Sequence, residues 1–197
     1  MLNVHKIIPQ TKVEGPGTRF CIWVQGCHNR CEGCFAVDTW DPGKGTMVPE
    51  KSVIAQILAV RENIEGVTFL GGEPMEQADC LAVIAQAAQT VGLSIITFTG
   101  RKYEDLLAEN RPGVLRLLSL TDILIDGEFQ KDAPEDTRPL VGSQNQRFIF
   151  LTNRYCESDI AQMRNAFEVR IDETGRFQIN GMGDIRKLQT YLNQYRG

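Results

Sequence analysis

The sequence lacks the features of a secreted, membrane-bound or nucleic-acid-binding protein. Residues 1–10 are short, mixed in polarity and without the apolar core of a signal peptide. No apolar run approaches the roughly 18–20 residues of a membrane span. Acidic residues outnumber basic ones by 25 to 21, and the net charge of −4 provides no basic footprint for nucleic acid or anionic lipid. We therefore expect a cytoplasmic protein that binds neither nucleic acid nor membrane.

Internal repeats, low-complexity tracts and linkers are also missing. The 197 residues are 42% apolar and 23% charged, which is typical of a soluble globular chain of one ordinary domain. We expect residues 1–155 to form the main body. Residues 156–197 change in character and form an extension of the same domain.

Strand-like and helix-like segments alternate along the main body. Apolar, β-branched runs predict strands at 19–25, 66–70, 93–99, 122–126 and 147–152. Helical periodicity predicts helices at 50–64, 79–91, 103–109 and 113–118. This alternation predicts an α/β fold built around a parallel sheet. A complete eight-fold barrel needs about 250 residues, so we expect a partial (β/α) barrel of five or six βα units.

The last part of the chain predicts a β-hairpin followed by a helix. Residues 168–171 and 176–179 alternate apolar and polar around Asp172-Glu173-Thr174-Gly175. Residues 184–195 place Ile185, Leu188 and Leu192 on one helical face.

Three of the six cysteines, Cys27, Cys31 and Cys34, lie within eight residues with the spacing Cx3Cx2C. Three thiolates can hold three irons of a cubane [4Fe–4S] cluster and leave the fourth iron open. Zinc on these cysteines plus His28 or Cys21 is the alternative, because a structural zinc site takes four ligands. Cys21, Cys80 and Cys156 are expected to be structural, and no second Cx2C pair indicates another cluster.

Polar or glycine-rich segments follow three of the predicted strands. They are Gly71-Gly72-Glu73-Pro74, Thr99-Gly100 and Asp126-Gly127. Ligands of such sheets bind at the C-terminal ends of the strands, so we expect these segments and the cysteine loop to share one site.

Together these motifs make the sequence resemble the radical S-adenosylmethionine (SAM) superfamily. More narrowly, it resembles the activating proteins of anaerobic (class III) ribonucleotide reductases, which activate glycyl radical enzymes. The resemblance rests on the cysteine loop, on the Gly-Gly-acid-Pro motif at 71–74, and on Gly142-Ser143-Gln144-Asn145-Gln146-Arg147. It spans about residues 3–151. Glu73, Phe35 and Ala36 depart from the aspartate, tyrosine and asparagine that are usual in this branch.

The resemblance implies a radical SAM oxidoreductase that reductively cleaves SAM to a 5′-deoxyadenosyl radical and abstracts hydrogen from a glycine of a partner enzyme. Its cofactors would be a [4Fe–4S] cluster and SAM. Its partners would be a glycyl radical enzyme, an anaerobic ribonucleotide reductase in this branch, and a flavodoxin or ferredoxin as electron donor.

The resemblance also implies roles for individual residues. Cys27, Cys31 and Cys34 would ligate the cluster, and Gly33 of their loop would belong to the cofactor-binding residues. Phe35 would pack beside the cluster and adenine, or else be an ordinary core aromatic.

Gly71 and Gly72 would let the backbone approach SAM, and Glu73 would accept a hydrogen bond from its ammonium group. Thr99 and Asp126 would bind SAM or else serve as turn residues. Asn145 and Arg147 would orient SAM or the barrel edge, and Arg19 and Arg30 would face a partner or solvent.

Two other functions stay open at this point. The long C-terminal extension and Ala36 suggest a radical SAM modifier of a different peptide or of a small metabolite. A non-catalytic zinc or iron–sulfur binding module is the alternative from another class, and the Gly-Gly-Glu-Pro segment disfavours it.

Overall fold

The computed structural model of the chain describes residues 1–171, 173–183, 190 and 194, and its centre is a seven-stranded sheet. The strands are β1 Leu2–Thr11, β2 Arg19–Val24, β3 Thr46–Val48, β4 Gly66–Gly71, β5 Ser94–Phe98, β6 Ile123–Asp126 and β7 Arg147–Phe150. Their order across the sheet is β3-β1-β2-β4-β5-β6-β7.

The four central strands are parallel, which confirms the predicted α/β class. β2, β4, β5 and β6 pair in parallel, whereas β1, β3 and β7 add antiparallel edges. The sequence did not indicate β1 or β3. The segment predicted as a strand at 147–152 forms β7, which pairs antiparallel with β6, and no helix lies between these two strands.

Helices cover the sheet and bury its strands. They are α1 Glu50–Val60, α2 Ala78–Thr90, α3 Tyr103–Ala108, α4 Pro112–Ser119 and α5 Glu157–Ala161. All six residues of β2 are buried: Phe20, Ile22 and Val24 join the main core, while Cys21 and Trp23 belong to a smaller cluster. The central strands are therefore shielded on both faces, as parallel sheets require. In the described part of the chain, no helix has the length and apolar character to cross a bilayer.

A second sheet of two strands, β8 Ala166–Ile171 and β9 Phe177–Met182, forms the predicted hairpin. It docks against the end of β1, where Glu168 accepts hydrogen bonds from the Thr11 hydroxyl at 2.8 Å and the Lys12 N–H at 2.7 Å. The predicted final helix at 184–195 lies outside the described residues, except for Thr190 and Gln194.

Arg19 is completely buried at the start of β2, so the expectation that it faces a partner or solvent is wrong. Its guanidinium donates to the Thr68 hydroxyl at 3.0 Å and the Ser94 hydroxyl at 2.6 Å. It also donates to the Val67 carbonyl at 2.7 Å. Burial lowers the pKa of Arg19, and nearby Tyr155 opposes that shift. Arg19 therefore joins β2 to β4 and β5 from inside the protein.

The isolated cysteines differ in their burial. Cys21 is buried on β2 as expected, Cys80 is half-buried, and Cys156 is exposed. Cys156 precedes α5, and its backbone N–H donates to Asp159 at 2.8 Å. Its position is that of a helix cap rather than of a small core residue.

Candidate functional site

The cysteine loop leaves the C-terminal end of β2 and returns along it. The backbone N–H of Gly26 donates to Thr39 O at 2.7 Å, and that of Cys27 donates to Trp40 O at 3.2 Å. Buried Gln25 closes the loop, since its amide nitrogen donates to the carbonyls of Asp38 at 2.9 Å and Asp41 at 2.8 Å. The loop is thus anchored at its base, while its middle faces outward.

The three thiols of this loop differ in burial, and backbone N–H donors lie close to each of them. Cys27 is buried, and Cys31 and Cys34 are half-buried. Burial raises the pKa of Cys27, opposed by the backbone N–H groups of Arg30 and Asn29.

The other two thiols have similar donors. Burial raises the pKa of Cys31, opposed by the backbone N–H of Phe129. The Ala36 N–H donates to Cys34 Sγ at 3.4 Å. Peptide donors directed at thiolate sulfur are among the groups that tune iron–sulfur clusters, so this donor set fits a cluster held by three cysteines.

A site for one metal ion fits the loop less well. Among the described residues, no three His, Cys, Asp or Glu side chains converge on one point. Cys21 lies inside the sheet, and His28 Nδ1 is 2.9 Å from Glu76 Oε2. Neither proposed fourth zinc ligand therefore joins the three cysteines. A cubane has no need for such convergence, because each cysteine binds a different iron.

Gly71 and Gly72 bring the end of β4 directly against the cysteine loop. Gly71 has a φ of +104°, and a Cβ there would lie 2.7 Å from Trp23 Cα. A Cβ on Gly72 would collide with the carbonyl oxygen of Gly26. The Gly72 N–H donates to Val24 O at 2.8 Å, and the Glu73 N–H donates to Gly26 O at 2.9 Å. These glycines are thus needed for contact between β2 and β4, in addition to any approach by a ligand.

Glu73 is the centre of the site's hydrogen bonding and is only 1% exposed. Its Oε1 accepts from the Met75 N–H at 2.9 Å and from the Thr99 hydroxyl at 2.8 Å. Its Oε2 accepts from the Gly100 N–H at 2.9 Å and from Asn29 Nδ2 at 3.0 Å. Burial raises the pKa of Glu73, and all four donors oppose this shift. The carboxylate connects β4, β5 and the cysteine loop.

Asp126 lies at the end of β6 in a neighbouring network. It is fully buried, and it accepts from the Tyr103 N–H at 2.8 Å and from Arg147 Nε at 2.9 Å. Arg147 also contacts Glu104. Asn145 donates to Glu128 O at 2.8 Å. The structure therefore joins Glu73, Thr99 and the cysteine loop directly, whereas Asp126 is engaged by Arg147.

Phe35 and Gly33 lie on the outer side of the cysteine loop. Phe35 is 78% exposed, which excludes the core-aromatic interpretation, and it meets Phe129 edge to face at 5.9 Å between ring centroids. Gly33 has a φ of +76° and lies next to Lys131, which pairs with Glu32 at 2.9 Å. This side presents an apolar ring beside the cysteines.

Sequence reasoning missed two residues that hold the site together. Asn29, between the first two cysteines, reaches Glu73. Glu76 accepts from the backbone N–H of His28 at 2.9 Å as well as facing its ring. Both link the cysteine loop to the segment after β4. The sequence indicates their importance only by their positions: Asn29 lies within the cysteine motif, and Glu76 lies just after the Gly-Gly-Glu-Pro motif.

Comparison with known proteins gives one family match. Residues 13–149 match the family described as a 4Fe-4S single cluster domain. That range contains all three loop cysteines and Glu73.

Several characterised proteins resemble the chain over most of their own length. It is 31% identical over 152 residues to the anaerobic ribonucleoside-triphosphate reductase-activating protein of Salmonella typhimurium, covering 74% of this chain and 96% of that protein. The protein of the same description from Vibrio cholerae is 33% identical over 153 residues, with 74% and 96% covered. That of bacteriophage T4 is 33% identical over 154 residues, with 74% and 92% covered. Among solved structures, QueE from Escherichia coli aligns with a TM-score of 0.43 and 20% identity, covering 50% of this chain and 52% of that one.

Proposed function

Because the chain belongs to the 4Fe-4S single cluster domain family and to the family of anaerobic ribonucleoside-triphosphate reductase-activating proteins, we propose that it is a radical SAM enzyme that generates a glycyl radical on a partner enzyme. The observation that carries this function is the direct contact between the Cx3Cx2C loop and buried Glu73. Such a contact places a cluster-binding loop beside an acceptor for an ammonium group.

The residues have distinct roles in this function. Cys27, Cys31 and Cys34 hold the cluster and leave one iron without a protein ligand. When bound, the cluster and SAM supply one-electron cleavage of the adenosyl carbon–sulfur bond, which yields methionine and a 5′-deoxyadenosyl radical that abstracts hydrogen. Glu73 accepts a hydrogen bond from the SAM ammonium.

Thr99 supports this role because its hydroxyl fixes one carboxylate oxygen of Glu73. Asp126, at the end of β6, supports the site by orienting Arg147 at the start of β7. Gly71 and Gly72 keep the end of β4 against the loop, so that the cysteines and Glu73 retain their relative positions.

The proposed partner is a class III ribonucleotide reductase. The relatives whose alignments cover 74% of this chain are described as reductase-activating proteins. A protein substrate also fits the exposed setting of the cysteine loop. Phe35 stands out from the surface beside the cysteines. A reduced flavodoxin or ferredoxin is the proposed electron donor. The hairpin β8–β9 follows the region matched by the family and is the proposed extension of the same domain.

Electron paramagnetic resonance tests this function. The reconstituted protein, SAM and a reductant are incubated anaerobically with a class III reductase, and the glycyl radical doublet is recorded. We expect the doublet with the wild-type protein and none with Cys31→Ala. Replacing the chemical reductant by reduced flavodoxin or ferredoxin tests the donor. Formation of 5′-deoxyadenosine without any radical on the reductase would favour a modifier of another substrate instead.

A further inference from the structure

Asn29 is the one donor to Glu73 that comes from the cysteine loop itself. It lies between Cys27 and Cys31, is half-buried, and donates its side-chain N–H to Glu73 Oε2 at 3.0 Å. Gly100 makes this contact possible, because a Cβ at that position would collide with the Asn29 amide. The amide therefore fills a space beside Glu73 that the structure keeps free of other side chains.

The acceptor capacity of Glu73 is fully used. A carboxylate offers about four lone-pair positions. On Glu73 they meet two donors at each oxygen: the Met75 N–H and the Thr99 hydroxyl at Oε1, and the Gly100 N–H and Asn29 at Oε2. Since the residue is 1% exposed, a further donor reaches it only by replacing one of these four.

Three of the four donors are fixed by the fold. The Met75 and Gly100 donors are backbone N–H groups in the segments after β4 and β5. The Thr99 hydroxyl is buried and also accepts from the Arg101 N–H at 3.1 Å. Asn29 differs from them, because rotation of its side chain removes the amide without moving any backbone.

We propose that the Asn29 amide occupies the position on Glu73 that the ammonium group of SAM takes, and that it gives up this hydrogen bond when SAM binds. This inference rests on the proposed function, in which Glu73 receives the ammonium. Asn29 is then a positioning residue whose hydrogen bond to Glu73 competes with SAM. When SAM binds, the loss of this hydrogen bond changes how the cysteine loop is held against Glu73.

Calorimetric titration of SAM tests the competition. The protein carries its reconstituted, oxidised cluster, so that binding is measured without turnover. Asn29→Ala removes the competing hydrogen bond to a carboxylate, and we expect the Kd for SAM to fall about tenfold or more. The Kd for 5′-methylthioadenosine, which lacks the ammonium group, should stay unchanged. The side chain introduced by Asn29→Ser is too short to reach Glu73, so this variant should also lower the Kd for SAM. It serves as the second variant if the alanine variant takes up less cluster.

Asn3→Ala is the matched control. It removes another side-chain amide, which donates to Pro42 O at 2.8 Å, and it should leave SAM binding unchanged. Equal or weaker SAM binding by both Asn29 variants would overturn the competition. Wild-type protein that carries its cluster but binds no SAM at all would instead overturn the proposed function, and the competition with it.

Discussion

Glu14 provides a quantitative test of how the C-terminal hairpin is held. It lies in the connection between β1 and β2, is 4% exposed, and accepts from Asn180 Nδ2 of β9 at 3.2 Å. Burial raises the pKa of Glu14 from 4.5 to about 7, opposed by Asn180, the Gly181 N–H and Lys6 and assisted by Glu168. Glu14 is therefore protonated in the folded chain at a pH where the unfolded chain has ionised it.

The sign of the effect follows from proton binding. Between pH 4.5 and about 7 the folded state binds more protons at Glu14 than the unfolded state, so stability falls as the pH rises through this range. At about 1.4 kcal/mol per pH unit, the full loss reaches about 3 kcal/mol by neutral pH. Glu14→Gln keeps an acceptor for Asn180 and removes the ionisation. The variant should gain up to about 3 kcal/mol relative to wild type between pH 5 and pH 8.

Urea denaturation followed by the fluorescence of Trp23 and Trp40 measures this difference, on reduced protein stripped of iron by a chelator. Glu168→Gln is the matched control on the same hairpin. Burial opposes ionisation of Glu168, but the Lys12 N–H, Thr11 and Arg170 outweigh it and lower its pKa. That variant should lose stability at higher pH rather than gain it. An identical pH dependence in wild type and Glu14→Gln would contradict the raised pKa of Glu14, because it would mean that Glu14 ionises as easily in the folded chain as in the unfolded chain.

Three further substitutions test the packing and the ligands of the site. Gly72→Ala should lower the free energy of unfolding in urea by at least about 2 kcal/mol, because the added Cβ meets the Gly26 carbonyl. Its control is Gly92→Ala, where the added Cβ meets open space and the unfavourable φ of +83° alone should cost about 1 kcal/mol. Arg19→Met should cost about 3–5 kcal/mol in total, since it leaves several buried neutral acceptors without their donor. A thermal unfolding midpoint within a few degrees of wild type would contradict that. Cys31→Ala should abolish the visible absorbance of the reconstituted cluster, and Cys80→Ala should retain it; equal iron content in both variants would rule out the ligand assignment.

Local sequence signals predicted the central strands and the site motifs well. β4, β5 and β6 lie within two residues of their predicted bounds, because each is a short apolar run that ends at glycine, threonine or aspartate. The Cx3Cx2C spacing and the glycines at 71 and 72 were visible for the same reason. Each is a compact pattern whose chemistry depends on residues close together in sequence.

Features that depend on distant contacts were not predictable in this way. β1 contains Lys6 and Pro9, which weaken its strand pattern, and it is stabilised by pairing with β2 and β3. Arg19 was expected outside because a charged side chain is rarely buried, yet Thr68 and Ser94 supply its acceptors from two other strands. The contact between Asn29 and Glu73 joins residues 44 positions apart, and neither residue type indicates it.

The assay of 5′-deoxyadenosine tests most directly whether the protein is a radical SAM enzyme. The protein is reconstituted anaerobically with iron and sulfide, reduced, and incubated with SAM, and the product is quantified by liquid chromatography. We expect a coloured protein that forms 5′-deoxyadenosine, with both colour and product lost in Cys31→Ala. A colourless protein that binds zinc and forms no 5′-deoxyadenosine would contradict this expectation.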